Sequence, residues 1–284
     1  MKRGKIMNIM ITGATGQLAN YAIEYVQAFN PEANIYGLVR KQEQVEQLAQ
    51  RGLNVRIGDY ADQESLIKAF KDIDRLLFIS VPQSDLQINV VEAAKASDIS
   101  YIAYTSINGI EYTKNGLEIN HRYTERLINE SGIPHTFIRN SWYLAMEEGS
   151  IKAAIETGNY YYLSDGKISY ATRKEYAEAA ARVITSEDKM PEIVELGRTA
   201  FTHKDLAQAI EKARGQKLNI QKVDKATYDK HLSQYSAMNI ESLMQQYVAE
   251  GNNGEADVVD TDFVNILGHE LQPLSDAIKH IIKE

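Results

Sequence analysis

The stretch ITGATGQLAN, residues 11–20, sets Gly13 and Gly16 between an apolar run and a helical one. Gly13 permits a tight turn at a strand end, and Gly16 lets backbone amides approach a pyrophosphate. The helix opening at Gln17 offers its positive end to the same anion, and Ala19 fills the third small position. An ordinary strand-to-helix turn uses similar glycines, so the surroundings must decide between the two readings. Upstream, IMNIMIT (6–12) is apolar enough for a buried strand. Downstream, QLANYAIEYVQAF (17–29) places Leu18, Ala22, Tyr25, Val26 and Phe29 at helical spacing before Asn30-Pro31 stops it. NIYGLV (34–39) is a second strand, which completes a strand-helix-strand unit of the size a dinucleotide needs.

The same alternation predicts helices over 43–52, 62–72, 84–97 and 117–131, and strands over 53–58, 73–80, 99–106 and 134–140, with Asp62 as a capping residue. This is the pattern of an α/β fold with a doubly wound parallel sheet, whose ligands sit beyond the carboxyl ends of the strands. Past residue 150 the rhythm loosens: a loop is expected over 157–170, a helix over 173–185 and a strand over 192–196. Helical patterns follow at 203–214, 224–235, 239–249 and 273–283. Residues 1–150 are thus expected to form a nucleotide-binding domain, and 151–284 to hold the remaining sheet elements and a smaller, mostly helical lobe. GNNGEAD (251–257) is the segment expected to be most mobile.

Composition narrows the ligand. A net charge of -8 argues against nucleic acid and anionic membrane, leaving a small molecule. With Cys 0 there are no disulfides or thiolates, which fits a reducing compartment. The opening MKRGKIMNIMITG reads as a short basic leader and a first strand, with no signal-peptide cleavage site, and no run reaches the roughly 18 apolar residues of a membrane span. A cytoplasmic protein is expected. The 6 histidines show no ligand spacing, so no metal is predicted.

At the end of the second strand, where an NAD site carries an acidic residue for the ribose, this chain has Arg40-Lys41. A guanidinium can grip a 2′-phosphate that a carboxylate would repel, so NADP is expected over NAD unless Arg40 is a solvated loop residue. Asp59-Tyr60 either borders the adenine or forms a helix-capping turn.

TGATGQLA (12–19), LVRK (38–41), GDY (58–60), LLFIS (76–80), AYTS (103–106), FIRNSWY (137–143), ISYATRKEYAEAAA (168–181) and LGHELQPLSDAI (267–278) together resemble the NmrA-like branch of the atypical short-chain dehydrogenases, in particular its bacterial NADPH-dependent quinone oxidoreductase type. The resemblance implies a Rossmann domain, NADPH and a smaller C-terminal lobe. It also implies that Gly13, Ala14, Thr15, Gly16, Gln17 and Leu18 form the pyrophosphate loop and that Arg40 holds the 2′-phosphate. Ser80, Val81 and Pro82 would line the ribose and nicotinamide, Asn140, Ser141, Trp142 and Tyr143 would close over the nicotinamide, and Arg173 would stand near the cofactor. Val81-Pro82 replaces the serines common in that type, and Ala19 replaces its third glycine.

Main-line short-chain dehydrogenases protonate an alkoxide with a tyrosine whose pKa is lowered by a lysine one turn later. At the expected place this chain reads NHRYTERL (120–127), with Tyr123 followed by Leu127; His121 and Glu125 stand one turn apart. Tyr170 and Lys174 have the spacing but belong to the cofactor-side segment. A quinone becomes a stabilised hydroquinone anion on accepting hydride, so it needs positioning more than a strong acid. Asn140 and Tyr143 are the candidates to orient nicotinamide and substrate, with wall packing the other reading for Tyr143 and Trp142. His121 is either catalytic or one half of a hydrogen-bonded pair with Glu125, and Ser106 either faces the nicotinamide or ends its strand. NYYYLSDG (159–166) supplies an aromatic wall for a flat substrate, or is an edge strand with alternate rings buried. The expected activity is hydride transfer from NADPH to a quinone or related small carbonyl compound, by a monomer or homodimer. The rival class is an NADP-binding redox sensor that regulates a protein partner.

Overall fold

The computed structural model describes residues 6–236, 240–251 and 253–283; the basic leader and the first residue of the helix expected over 239–249 lie outside them. The elements run β1 (Asn8–Ile11), α1 (Gln17–Phe29), β2 (Asn34–Val39), α2 (Glu43–Ala49), β3 (Asn54–Ile57), α3 (Gln63–Phe70), β4 (Arg75–Phe78), α4 (Ser84–Ala96), β5 (Tyr101–Ile107), α5 (Leu117–Ser131) and β6 (His135–Asn140). There follow β7 (Trp142–Tyr143), α6 (Glu148–Thr157), β8 (Asn159–Tyr162), β9 (Lys167–Ile168), β10 (Tyr170–Ala171), α7 (Arg173–Thr185) and β11 (Ile193–Leu196). The chain ends through β12 (Phe201–Thr202), α8 (His203–Arg214), β13 (Asn219–Lys222), α9 (Lys225–Leu232), α10 (Ile240–Ala249), α11 (Thr261–Leu267) and α12 (Leu274–Lys283).

Two compact units share these elements. The first comprises the chain up to Ile110, Gly116–Asn140 and Arg173–Leu196. Its seven strands lie in the order β11-β6-β5-β4-β1-β2-β3, every neighbouring pair parallel. This is a Rossmann-like sheet. Strand order reverses between β1 and β4, and in open sheets of this kind ligands bind beyond the carboxyl ends at such a reversal. Ile9, Met10 and Ile11 are fully buried, as a central parallel strand covered on both faces requires. On one face Phe78, Tyr104 and Phe137 from β4, β5 and β6 pack tilted and edge-to-face with ring centroids 5.1 and 6.5 Å apart, each burial worth about 1.5–3 kcal/mol. On the other, α1 offers Ala19, Ala22, Ile23 and Val26, and α7 is buried through Ala177, Ala180, Ala181 and Ile184. Small side chains on both helices let α1 and α7 pack along one another.

The second unit comprises Glu111–Asn115, Ser141–Thr172 and Gly197–Glu284. Helices predominate, joined by three two-stranded pairings, β7 with β10, β9 with β12 and β8 with β13. The loop expected over 157–170 therefore contains strands, the longest being β8, where Tyr160 and Tyr162 are buried and Tyr161 is half-buried. The alternate-ring reading of that segment holds. Within the 251–257 segment Glu255 is 1% exposed, and its carboxylate accepts from Lys114 Nζ (2.6 Å), Trp142 Nε1 (2.9 Å) and the Ser169 amide (3.2 Å).

Candidate functional site

At the end of β1 the backbone turns through Gly13 with φ +60, and the Gly16 N–H closes the turn on the Gly13 carbonyl at 2.8 Å. A Cβ on Gly16 would stand 3.1 Å from that carbonyl, closer than a side chain comfortably packs. Gly16 caps α1 without a side-chain hydrogen bond, and the first turn carries no acidic residue. The leading amides of the helix are left for an anion. Thr15, Gly16 and Gln17 are exposed, Leu18 is half-buried and Ala14 is buried, so this loop is a backbone cradle on a packed base. That arrangement fits a diphosphate. Arg40 follows β2, exposed and without a hydrogen-bond or ion-pair partner among the described residues.

Beyond β4 the next loop is held from four sides. Thr12 Oγ1 accepts the Ile79 N–H (2.9 Å), Thr105 Oγ1 accepts the Ser80 N–H (2.9 Å), Gln87 Oε1 accepts the Val81 N–H (3.0 Å), and Asn120 Nδ2 donates to the Val81 carbonyl (2.9 Å). Gln87 and Asn120 are buried and joined through Thr124, to which Gln87 Nε2 donates at 2.7 Å. With its main chain committed, Val81 has only its side chain to offer a ligand, while Ser80 keeps a hydroxyl proton to donate. Gln87, Asn120 and Thr105 were missed in the sequence. Their signal was a polar residue in register with an apolar stripe, as Gln87 is with Val90, Val91 and Ala94.

A second network underlies the ends of β5 and β6. Arg139 grips Glu125 with Nε (3.0 Å) and NH2 (2.7 Å) and Glu195 with NH1 (2.8 Å). Ser106 donates to Glu125 (2.6 Å), and Asn108 Nδ2 donates to Glu195 (2.7 Å). The Asn108 N–H then bonds the Asn140 carbonyl at 2.8 Å, and Asn140 Oδ1, buried, has no partner among the described residues. Glu125 is thus paired with Arg139, not with His121, because a guanidinium fork satisfies a buried carboxylate better than an imidazole does. Ser106 is the next-to-last residue of β5, and its buried hydroxyl is given to Glu125.

The Tyr60 ring is buried edge-on against Phe78, and its hydroxyl reaches the Ile79 carbonyl at 3.5 Å. Asp59 forms the turn reading, accepting the Ala61 N–H at 2.9 Å. Pro82 is exposed, and Arg173 opens α7, the partner of α1. Asn140 closes the first unit; Ser141, Trp142 and Tyr143 belong to the second. There Ser141 donates to the Ser169 carbonyl (3.0 Å), Trp142 packs edge-on against Tyr247 (5.3 Å), and Tyr143 is half-buried in β7. The polar atoms of Ser141 and Trp142 serve packing. Tyr170 is no proton donor, since its buried hydroxyl is given to Glu147 at 2.7 Å, while Lys174 lies over the Tyr21 ring at 5.2 Å.

Three groups with large burial-driven shifts contribute to the response to pH. Burial lowers His121 and His203 to about 4, against a weak opposing pull of Glu125 on His121. Burial, reinforced by Glu241, raises Glu147 to about 8. Between about 4 and 6.5 the unfolded chain protonates two histidines that the native protein keeps neutral, so their contribution is lost as pH falls. Between 4.5 and about 8 the native protein holds the Glu147 proton that the unfolded chain releases, so stability falls as pH rises. For these three groups alone the opposing slopes balance near pH 6.5. Glu147→Gln should gain about 3 kcal/mol at pH 7 and abolish the decline these groups cause above that balance. Urea unfolding across this range tests it; an unchanged alkaline slope in the variant would assign the decline elsewhere.

No described helix is long and apolar enough to cross a membrane. A sequence model of the NmrA-like family matches residues 6–271. Quinone oxidoreductase 2 of Escherichia coli is 34% identical over 281 residues, spanning 96% of this chain and 98% of that protein. The crystal structure of the NADPH-dependent quinone oxidoreductase of Escherichia coli complexed with NADPH matches with a TM-score of 0.82 at 32% identity, covering 96% of this chain and 99% of that one. The triphenylmethane reductase of Citrobacter sp., complexed with NADP(H), matches with a TM-score of 0.87 at 31% identity, covering 97% and 100%. The uncapped glycine turn, the reversal of strand order beside it and a match over nearly the full length agree: this chain belongs to the NmrA-like family.

Proposed function

We propose that the protein is an NADPH-dependent oxidoreductase that transfers hydride to a quinone or a related small carbonyl compound. The observation that carries this reading is the uncapped α1 terminus beyond Gly13 and Gly16, with Arg40, which has no partner among the described residues, at the end of the neighbouring strand β2. The amides from Gly13 to Leu18 hold the diphosphate, and Arg40 takes the 2′-phosphate that distinguishes NADPH from NADH. NADPH, when bound, supplies the hydride. Ser80 donates its hydroxyl on the ribose side, and the Val81 and Pro82 side chains provide an apolar support for the nicotinamide, displacing water. Asn140 supplies a carbonyl oxygen that has no partner among the described residues.

One named relative that spans this chain is a quinone oxidoreductase, and quinone chemistry suits a site without a tyrosine-lysine pair. The hydroquinone anion is a weak base, so water can protonate it and the protein need only hold the two reactants in register. Mixing the purified protein with NADPH and a panel of quinones should give steady loss of the reduced-nicotinamide absorbance. Saturable NADPH binding with no turnover on any quinone or small carbonyl compound would overturn the reading in favour of a redox sensor.

A further inference from the structure

Tyr104, on β5, is fully buried between Phe78 and Phe137, and its hydroxyl lies 2.9 Å from His121 Nδ1 on α5. A second acceptor, Gln87 Oε1, is 3.4 Å away and already takes the Val81 N–H at 3.0 Å. The shorter distance assigns the tyrosine proton to Nδ1. A neutral imidazole that accepts at Nδ1 must carry its own proton on Nε2. Nε2 has no protein partner among the described residues, and the ring is half-buried rather than sealed. Asn120, the preceding residue, donates to the Val81 carbonyl, which fixes this turn of α5 against the loop beyond β4.

We propose that Tyr104 is a positioning residue that locks His121 in the Nε2–H tautomer, so that the imidazole presents a fixed hydrogen-bond donor to the acceptor's carbonyl oxygen. This rests on the quinone-reductase reading above. Hydride carries two electrons from the reduced nicotinamide to the quinone, leaving the oxidised nicotinamide and a hydroquinone anion, which takes its proton from water. The imidazole keeps its own proton and stabilises the developing negative oxygen. Burial holds it neutral by lowering its pKa to about 4, a condition under which imidazole serves as an electrophile rather than an acid. The groups around it preserve that state: Glu125 on the same helix is neutralised by Arg139, Gln87 from α4 is uncharged, and Tyr104 from β5 donates.

The experiment combines kinetics with nitrogen-15 spectra of histidine-labelled protein bound to NADP. His121→Leu should lower kcat with the best quinone about a hundredfold, with KM for NADPH changed less than twofold. His121→Gln, which retains an N–H, should recover at least a tenth of the wild-type kcat. Tyr104→Phe should lower kcat about tenfold yet add nothing to His121→Leu. In the spectra, wild-type His121 should show an unprotonated Nδ1 and a protonated Nε2, and Tyr104→Phe a mixture of tautomers. A protonated Nδ1 in the wild type, or an unchanged kcat in His121→Leu, would overturn the inference and leave quinone reduction standing. Absence of wild-type turnover would remove both.

Discussion

Replacing Arg40 with aspartate should weaken NADPH binding about a hundredfold and leave NADH within about threefold of its wild-type affinity. Arg40 is exposed beyond β2 and engages no other described side chain, so its removal should leave the fold intact. Its guanidinium fork matches a phosphoryl group with two parallel hydrogen bonds, and a carboxylate in its place adds repulsion where attraction was lost. The ribose of NADH lacks that phosphoryl group, while the contacts of the Gly13–Leu18 loop serve both cofactors alike. The selectivity ratio is therefore the informative quantity. Titration of each cofactor, followed by energy transfer from the single tryptophan, Trp142, to the reduced nicotinamide, measures it. Equal losses for both cofactors would mean that Arg40 supports the loop rather than the 2′-phosphate. Because surface electrostatics are screened, the ratio should also shrink as salt is raised.

Much of the first unit was legible because its determinants are local. The helix over Gln17–Phe29 and the strand over Asn34–Val39 match their expected bounds, since an apolar stripe, an Asn-Pro stop and a short β-rich run each act within a few residues. The glycine turn was equally readable, because positive φ and close approach leave a mark on residue type. The site's supporting shell was not. Glu125 looks like a partner for His121 at one-turn spacing, but the choice of partner is made by Arg139, 14 residues on and brought in by strand pairing. Nor does the sequence show that the Tyr60 ring packs against Phe78. The two-residue strands β7, β9, β10 and β12 have no sequence signature of their own, since each exists through its partner.

The interior of the second unit gives the other large effect: Lys114→Met should cost about 3–5 kcal/mol. Lys114 and Glu255 are each 1% exposed, and Lys114 Nζ donates to Glu255 Oε1 at 2.6 Å and to the Asn253 carbonyl at 3.0 Å. Removing the cation leaves a buried carboxylate with only neutral donors, Trp142 Nε1, the Ser169 amide and the Tyr247 hydroxyl at 3.4 Å. Neutral hydrogen bonds do not replace an opposite charge in a low-dielectric interior, which is why breaking such a pair costs more than the pair itself contributes. Adding Glu255→Gln to Lys114→Met should therefore restore part of the loss, because an amide needs no counter-charge. The anchor of the polar, glycine-rich 251–257 segment thus lies 141 residues before Glu255. Trp142 reports the event directly, as its indole N–H bonds the same carboxylate. Urea unfolding followed by its fluorescence should show the single variant destabilised and the double variant partly recovered; a loss below about 1 kcal/mol would mean that water or a rearranged donor satisfies Glu255 without Lys114.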